Sequence, residues 1–454
     1  MKGGVLTIHE FARRLRARET SAVEVTDECL RRIESDNPRL NAFTLVMHDA
    51  ARQQAAEADR EMAAGRDRGP LHGVPFSVKD LIDIRGTPTT AASRVRQGHS
   101  AGDDAPAIGR LRQAGAVFVG KTNLHEFAFG TTNEDSAYGP ARNPHDVTRS
   151  PGGSSGGSAA SVAAGMALAT LGTDTGGSIR IPAAACGIVG LKPGYGEIPT
   201  DGVVPLSHTF DHVGPLTSDV TDAWHVYHAL TGRPAERPLL AALPGGLRLA
   251  VPRTFFCDVL DDDVRSHFEA SLETLRKAGV KLDEVRIPHA DHIATVYLHI
   301  VLSDAAAYHA ATLDSMGDRY TRPVRLRLEM GRYILAEDYV RALAGREVLR
   351  REVDAALAGH DALVLPTLPM PAPPIGAATV RVGPREEPVR NLMLRLTQLF
   401  NVTGHPAVSI PDGRTPSGLP CGLQIVGASD RTDALLGVAL SVERRITPRA
   451  QSPA

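Results

Sequence analysis

At 454 residues the chain is about three times a typical domain, enough for one large domain or two to three smaller ones. With 42% hydrophobic and 22% charged residues it is too apolar to be disordered. Lys+Arg number 50 against 52 Asp+Glu, and the net charge of −2 argues against nucleic-acid binding through bulk electrostatics.

No apolar stretch precedes Arg13, Arg14 and Arg16, so no signal peptide is expected. No apolar run reaches the ~18 residues needed to cross a bilayer. Cys29, Cys186, Cys257 and Cys421 are far apart and form no CxxC pair, which argues against a zinc ribbon and a disulfide framework. A cytoplasmic protein is the expectation.

The first sixty residues predict helices. Ser21-Ala-Val-Glu24 has the capping-box pattern, and Asn37-Pro38 is expected to end that helix. An Ala-rich helix over 49–64 stops at Gly65. Strand and helix then alternate. Strands are expected at 75–80, 116–120 and 167–172, with helices at 105–114 and 159–165, a pattern that points to an α/β fold. Residues 231–246 carry three prolines and three glycines and read as a connection. After it come a strand at 247–251, a helix at 263–278, helical sequence over 292–343, and short buried strands at 362–366, 407–410 and 423–426.

The stretch that carries chemistry is Ser150-Pro-Gly-Gly-Ser-Ser-Gly-Gly-Ser-Ala-Ala160. Taken alone it reads as a flexible Gly/Ser loop, but it opens an Ala-rich helix. A second glycine-rich turn, Thr173-Asp-Thr-Gly-Gly-Ser178, follows a strand and runs directly into Ile179-Arg-Ile-Pro182. Two such turns on neighbouring elements can aim several backbone N–H groups at one point, as an oxyanion requires. No lysine follows the glycines, so a phosphate loop is disfavoured. Gly152-Gly-Ser154-Ser-Gly156 also matches the G-x-S-x-G elbow, as does the frame centred on Ser155. An α/β-hydrolase-type esterase using Ser154 or Ser155 with one of the downstream histidines is therefore an alternative. His125-Glu126, His208/His212 and His225/His228 have helix-face spacing, yet no third ligand accompanies them, so core or surface histidines are favoured over a metal site.

Residues 69–216 resemble the amidase signature family of serine amidohydrolases. The resemblance rests on Leu71-His-Gly-Val-Pro-Phe-Ser-Val-Lys-Asp80, Gly120-Lys-Thr-Asn-Leu-His-Glu-Phe127, Tyr138-Gly-Pro-Ala-Arg-Asn-Pro144, Gly152-Gly-Ser-Ser-Gly-Gly-Ser158, Gly172-Thr-Asp-Thr-Gly-Gly-Ser-Ile-Arg-Ile-Pro182 and Cys186-Gly-Ile-Val-Gly-Leu-Lys-Pro193. Weaker similarity extends over nearly the whole chain, including Gly404-His-Pro-Ala-Val-Ser-Ile-Pro411.

The resemblance implies one α/β/α domain over 1–454, built on a large mixed sheet, with a helical segment at 1–65, the signature core at about 69–216, and a helical segment at about 295–345 that could line the substrate pocket. It implies a Ser–cis-Ser–Lys triad in which Ser178 is the nucleophile, Ser154 the relay and Lys79 the base. The oxyanion hole would be the N–H groups of Thr175, Gly176, Gly177 and Ser178. Ser155 and Gly153 would support the site, with Gly153 suiting a cis bond before Ser154. Asp174 and Arg180 are expected to hold the turn as a charge pair. Lys121 and Lys192 read as structural. No cofactor and no metal are implied. The partner would be a small-molecule amide, with no nucleic acid and no membrane, and the family admits a homodimer.

The chemistry of these residue types agrees. A serine hydroxyl is a weak nucleophile until a base takes its proton. Free lysine, with a pKa near ~10.4, cannot serve as that base at neutral pH, but burial can lower its pKa by roughly 3–5 units. Pro75, Phe76, Val78, Leu81 and Ile82 surround Lys79 in sequence and could supply that burial; Asp80 and Asp83 would oppose it if they came near. The expected reaction is hydrolysis of a carboxamide, with carbamate, urethane or ester bonds as further candidates. The glutaminase subunit of a tRNA amidotransferase is a second alternative, disfavoured because that subunit usually carries glutamine where Ile181 stands. The apolar Leu392, Met393, Leu396, Leu399 and Phe400 suggest a neutral, aromatic amide or carbamate.

Overall fold

Eleven strands hydrogen-bond into one mixed sheet in the computed structural model, which describes residues 6–233 and 246–446. In chain order they are β1 (Phe43–Val46), β2 (Pro75–Lys79), β3 (Val117–Thr122), β4 (Ala169–Asp174), β5 (Val189–Lys192), β6 (His212–Thr217), β7 (Arg248–Pro252), β8 (Lys281–Val285) and β9 (Ala362–Pro366), then, after a separate hairpin of β10 (Thr379–Val382) and β11 (Arg385–Pro388), β12 (Ala407–Arg414) and β13 (Pro420–Val426). The sheet order is β1-β3-β2-β4-β6-β5-β12-β13-β9-β7-β8. β2 runs parallel to both β3 and β4, whereas β6, β5, β12 and β13 pair antiparallel. Fourteen α-helices among the described residues accompany the sheet and complete the α/β/α architecture expected from the sequence.

The central strands β2, β3 and β4 are buried along their whole length. Their sequences are continuous apolar and small runs rather than alternating ones, as a sheet covered on both faces requires. Parallel pairing of β2 with β4, in the register Val78↔Leu171, carries Lys79 and Thr173 to the same sheet edge. That is the carboxyl edge, where α/β sheets characteristically bind ligands.

Several boundaries differ from the sequence expectation. Pro38 does not end its helix: Ala22–Leu40 continues through it. Proline lacks one donor, but at this last turn the chain closes through Asn41 in the left-handed region, whose N–H reaches the Asn37 carbonyl at 2.7 Å. The predicted capping box at Ser21 and Glu24 is present. The helical stretch 292–343 is three helices, Ile293–Met316, Arg322–Gly331 and Ala336–Leu357. Pro323 sits in the first turn of the second, where its missing N–H costs nothing. The apolar stretch near 392–400 is two short helices, Val389–Arg395 and Leu399–Val402. Most of the connection read at 231–246 lies outside the described residues. All four cysteines are buried and free. Among the described residues no helix is long and apolar enough to cross a membrane.

Candidate active site

Lys79 closes β2 with its side chain fully buried. Its Nζ donates to Ser154 Oγ at 2.8 Å and to Thr173 Oγ1 at 2.8 Å. Burial pulls its pKa down to about 7, although the negative charges of Asp174 and Asp211 oppose the shift. Asp80, its sequence neighbour, is turned away: it lies 3.1 Å from Lys121 Nζ and accepts a bond from the Thr90 hydroxyl. The opposing charge thus comes from through-space neighbours rather than from adjacent residues.

Ser154 belongs to a loop immediately before the helix Gly156–Ala163, and the Gly153–Ser154 peptide is cis. Asn133 Oδ1 accepts the N–H groups of Gly156 and Gly157 at 3.0 and 3.2 Å and so caps this helix from a distant loop. A Cβ on Gly153 would lie within 2.9 Å of the backbone of Thr131, Thr132 and Asn133, which explains the glycine by close approach. Ser155 ties the two glycine-rich turns together. Its N–H donates to the Ser178 carbonyl at 3.2 Å, and its hydroxyl donates to the Thr173 carbonyl at 3.2 Å. Ser154 and Ser155 are fully buried, and Ser178 retains 6% exposure, so of the three only Ser178 reaches the surface of the site.

The turn that presents Ser178 is organised by Asp174. Its Oδ1 accepts the Gly177 N–H at 2.8 Å and its Oδ2 accepts the Ile179 N–H at 3.1 Å. Both oxygens engage the fully buried Arg180, Nη2 at 2.9 Å and Nε at 3.0 Å. Burial alone would raise the Asp174 carboxyl, but Arg180, Lys192 and Asn401 hold it well below the usual range. Because Asp174 takes the Gly177 N–H, the expected oxyanion set contracts to Thr175, Gly176 and Ser178. The N–H groups of these three have no hydrogen-bond partner among the described residues.

Several residues at this site carried no sequence signal. Asp211 accepts the Thr175 hydroxyl at 2.6 Å and the N–H groups of Leu206 and Ser207, and burial pushes its pKa up to about 6. Thr397 Oγ1 donates to the Gly176 carbonyl at 2.7 Å. Tyr297 leans over the turn, so that a Cβ at position 176 would lie 2.5 Å from its Oη. Through Tyr297 the helix Ile293–Met316 reaches the site from the 295–345 segment.

The remaining polar candidates are engaged elsewhere. Lys121 Nζ donates to the Pro88 carbonyl at 2.9 Å and to Thr89 at 3.2 Å. Lys192 Nζ donates to the Pro193 carbonyl and lies 3.2 Å from His212 Nε2. His125 lies 3.0 Å from Asp135, and His228 lies 2.8 Å from Asp433. Ser154 is thus partnered by a lysine, which leaves the esterase alternative without its defining histidine. Among the described residues, His9, Asp219 and Asp222 group their ligand atoms closely, but Asp222 accepts the N–H groups of Ile8 and His9 at 2.8 and 3.2 Å and caps that helix.

The sequence profile described as "Amidase" matches residues 24–436. A protein named "Amidase" from Pseudomonas putida is 39% identical, covering 99% of this chain and 97% of the relative. A glutamyl-tRNA(Gln) amidotransferase subunit from Anaeromyxobacter sp. (strain K) is 38% identical, covering 99% of this chain and 98% of the relative. A solved structure described as "Crystal structure of amidase" superposes with a TM-score of 0.92 at 38% identity, covering 97% of this chain and 100% of that one. With the profile spanning most of the chain and the fold superposing over nearly its full length, the chain belongs to the amidase family, the amidase-signature enzymes.

Proposed function

We propose that this enzyme hydrolyses a carboxamide through an acyl-enzyme on Ser178. The observation that carries the reading is the buried Lys79 amine, 2.8 Å from Ser154 Oγ and pulled to a pKa of about 7. A neutral amine accepts a proton, so Lys79 acts as the base for Ser154, and Ser154 relays for Ser178. Ser178 Oγ attacks the carbonyl carbon while its proton passes through Ser154 to Lys79. The carbonyl oxygen becomes an oxyanion facing the N–H groups of Thr175, Gly176 and Ser178. When the C–N bond breaks, the stored proton goes to the departing nitrogen, which leaves as ammonia or an amine. Water then attacks the acyl-enzyme by the same relay, releasing the acid and restoring Ser178. No step draws on a cofactor.

The test is mass spectrometry after fluorophosphonate treatment, with wild type, S178A, S154A and K79M compared. Labelling at Ser178 is expected, absent in S178A and much slower in K79M. Labelling at Ser154, or undiminished labelling in K79M, overturns the assignment.

The relatives named as amidotransferase subunits favour a second reading, a glutaminase that works within a complex. It requires glutamine hydrolysis that depends on added partner subunits. Turnover of simple amides by the isolated chain counts against it.

A further inference from the structure

The turn that presents Ser178 reads Thr175-Gly-Gly-Ser178, and its two glycines offer no side chain by which to hold it. Outside groups fasten the glycines: Asp174 takes the Gly177 N–H, and Thr397 donates to the Gly176 carbonyl. Neither bond reaches Thr175, whose N–H begins the proposed oxyanion set. Thr175 is the one residue of the turn besides Ser178 with a side chain, and its hydroxyl donates to Asp211 Oδ1 at 2.6 Å.

Strand pairing brings these two residues together. β4 and β6 run antiparallel with Asp174 opposite His212, so the residue after Asp174 meets the residue before His212. Asp211 is itself held in place, because its Oδ2 accepts the Leu206 and Ser207 N–H groups at 2.9 and 3.1 Å. The helix Ile293–Met316 grips the same loop. Its Asp304 Oδ2 accepts the Ser207 hydroxyl at 2.6 Å and the Thr209 N–H at 3.3 Å. Thr175 is therefore the end of a chain of bonds that starts on that helix.

The two buried carboxylates at the turn differ in charge balance. Asp174 is paired with Arg180, whereas Asp211 has no lysine or arginine within ion-pair distance among the described residues. Around Asp211 stand His208 on its own loop, Tyr297 and Asp304 on the helix Ile293–Met316, and the Asp174–Arg180 pair on the turn. His212 follows it on β6, and burial holds that imidazole neutral. Lys79 Nζ reaches Thr173 Oγ1 at 2.8 Å, and Thr173 is two residues from Thr175, about 7 Å along extended chain. Burial lifts the Asp211 carboxyl to about 6, so it stays ionised where Lys79 titrates, near 7, and its charge favours the protonated lysine.

We propose that Asp211 is a positioning residue with two tasks: through Thr175 it fixes the first N–H of the oxyanion set, and its carboxylate answers the positive charge that Lys79 takes up while storing the Ser178 proton. The inference rests on the Ser178 reading and adds a residue to that machinery. In the resting site Lys79 is neutral and the carboxylate meets no cation. When the proton moves from Ser178 through Ser154 to Lys79, the attraction appears. An interaction that arises only as the reaction proceeds raises the rate rather than the affinity.

The experiment follows the rate of fluorophosphonate labelling at Ser178 against pH, in wild type, D211N, T175V and T175S. In D211N the rate on the alkaline plateau should fall at least tenfold. The midpoint of its acid limb should also drop from about 7 by about one pH unit, since the lysine loses a counter-charge. A purely structural role for Asp211 would lower the plateau and leave the midpoint. T175V should lose at least tenfold on the plateau, and T175S, which restores the hydroxyl, should recover most of that loss. A wild-type midpoint in D211N, or a wild-type plateau in T175V, overturns the inference. Should circular dichroism show that D211N does not fold, the T175V and T175S pair decides, because both keep the carboxylate. If wild type takes no label at Ser178, the acyl-enzyme reading falls and this inference with it. If wild type is labelled and the variants match it, the inference alone falls.

Discussion

Asp174 grips Arg180 through both carboxylate oxygens, at 2.9 and 3.0 Å, and neither side chain has exposed surface. The same carboxylate holds the Gly177 and Ile179 N–H groups on either side of Ser178. Arg180 spends its other donors on the Thr397 carbonyl at 2.9 Å, on Gln424 at 2.6 Å and on Asn401 at 2.7 Å. The pair therefore acts as a post to which the turn carrying Ser178, the 397–401 segment and strand β13 are all fastened. Removing one member leaves a buried charge without its partner. D174N and R180M should each lose about 3–5 kcal/mol of stability. Urea unfolding followed by circular dichroism measures this; a midpoint unchanged in either variant would contradict the role.

With Lys79 as the proposed base, its titration sets the expected pH dependence of turnover. Below pH about 7 its amine is protonated and cannot accept the Ser154 proton. The kcat/KM profile should therefore rise with unit slope on the acid side and level off above a pKa of about 7. K79M should lower kcat/KM by roughly 10²–10⁴-fold or more and erase that limb. An acid limb that survives in K79M assigns the titration to another group.

The same lysine leaves a mark on stability. Its folded pKa of about 7 lies below the ordinary value of 10.5, so the shift is a depression of a basic group. At low pH the amine is protonated in both folded and unfolded chains, and the cost of burying the charge is carried in full. Between those two values the unfolded chain binds the extra proton and the folded chain does not, so wild-type stability rises with pH. Relative to K79M, wild type should gain stability between pH 6 and pH 9. Paired thermal melts at the two pH values measure it, and a difference that stays constant would mean the amine is charged in the fold.

Gly177 adopts φ +137°, a backbone conformation that other residues rarely take. A Cβ there would also sit 2.2 Å from Thr397 Oγ1 and 2.7 Å from Ile181 Cδ1. G177A should cost about 1–3 kcal/mol and slow Ser178 labelling by at least tenfold, since Thr397 must move and release the Gly176 carbonyl. Melting and labelling rates of G177A test both effects. G165A, at a turn remote from Ser178 where the obstacle is the end of the Arg32 side chain, is the control for backbone strain alone.

What the sequence revealed depended on how local the chemistry is. Ser154, Ser178 and Lys79 stood out because the motifs around them resemble those of a known family, while their residue types alone left a G-x-S-x-G elbow open; the β2–β4 pairing and the Lys79–Ser154 hydrogen bond bring the segments together. The partners that tune them did not stand out. Asp211, Thr397, Asn401 and Tyr297 act across large sequence separations, and an aspartate or threonine in a loop is commonplace until the fold brings it to the turn. Strand β6 was missed because its His212-Val-Gly-Pro-Leu-Thr217 sequence includes glycine and proline, which weaken a strand pattern although the strand is central.

The fastening of Arg180 to residues 397, 401 and 424 also has a temporal meaning. During synthesis from the N-terminus, Lys79, Ser154 and Ser178 emerge from the ribosome more than two hundred residues before the groups that steady the turn between them. A nascent chain halted anywhere in that interval carries the three residues proposed to react and lacks Thr397, Asn401 and Gln424, which brace Arg180 behind the turn. On the proposed mechanism, fragments left by premature termination or proteolysis within that interval should be inert.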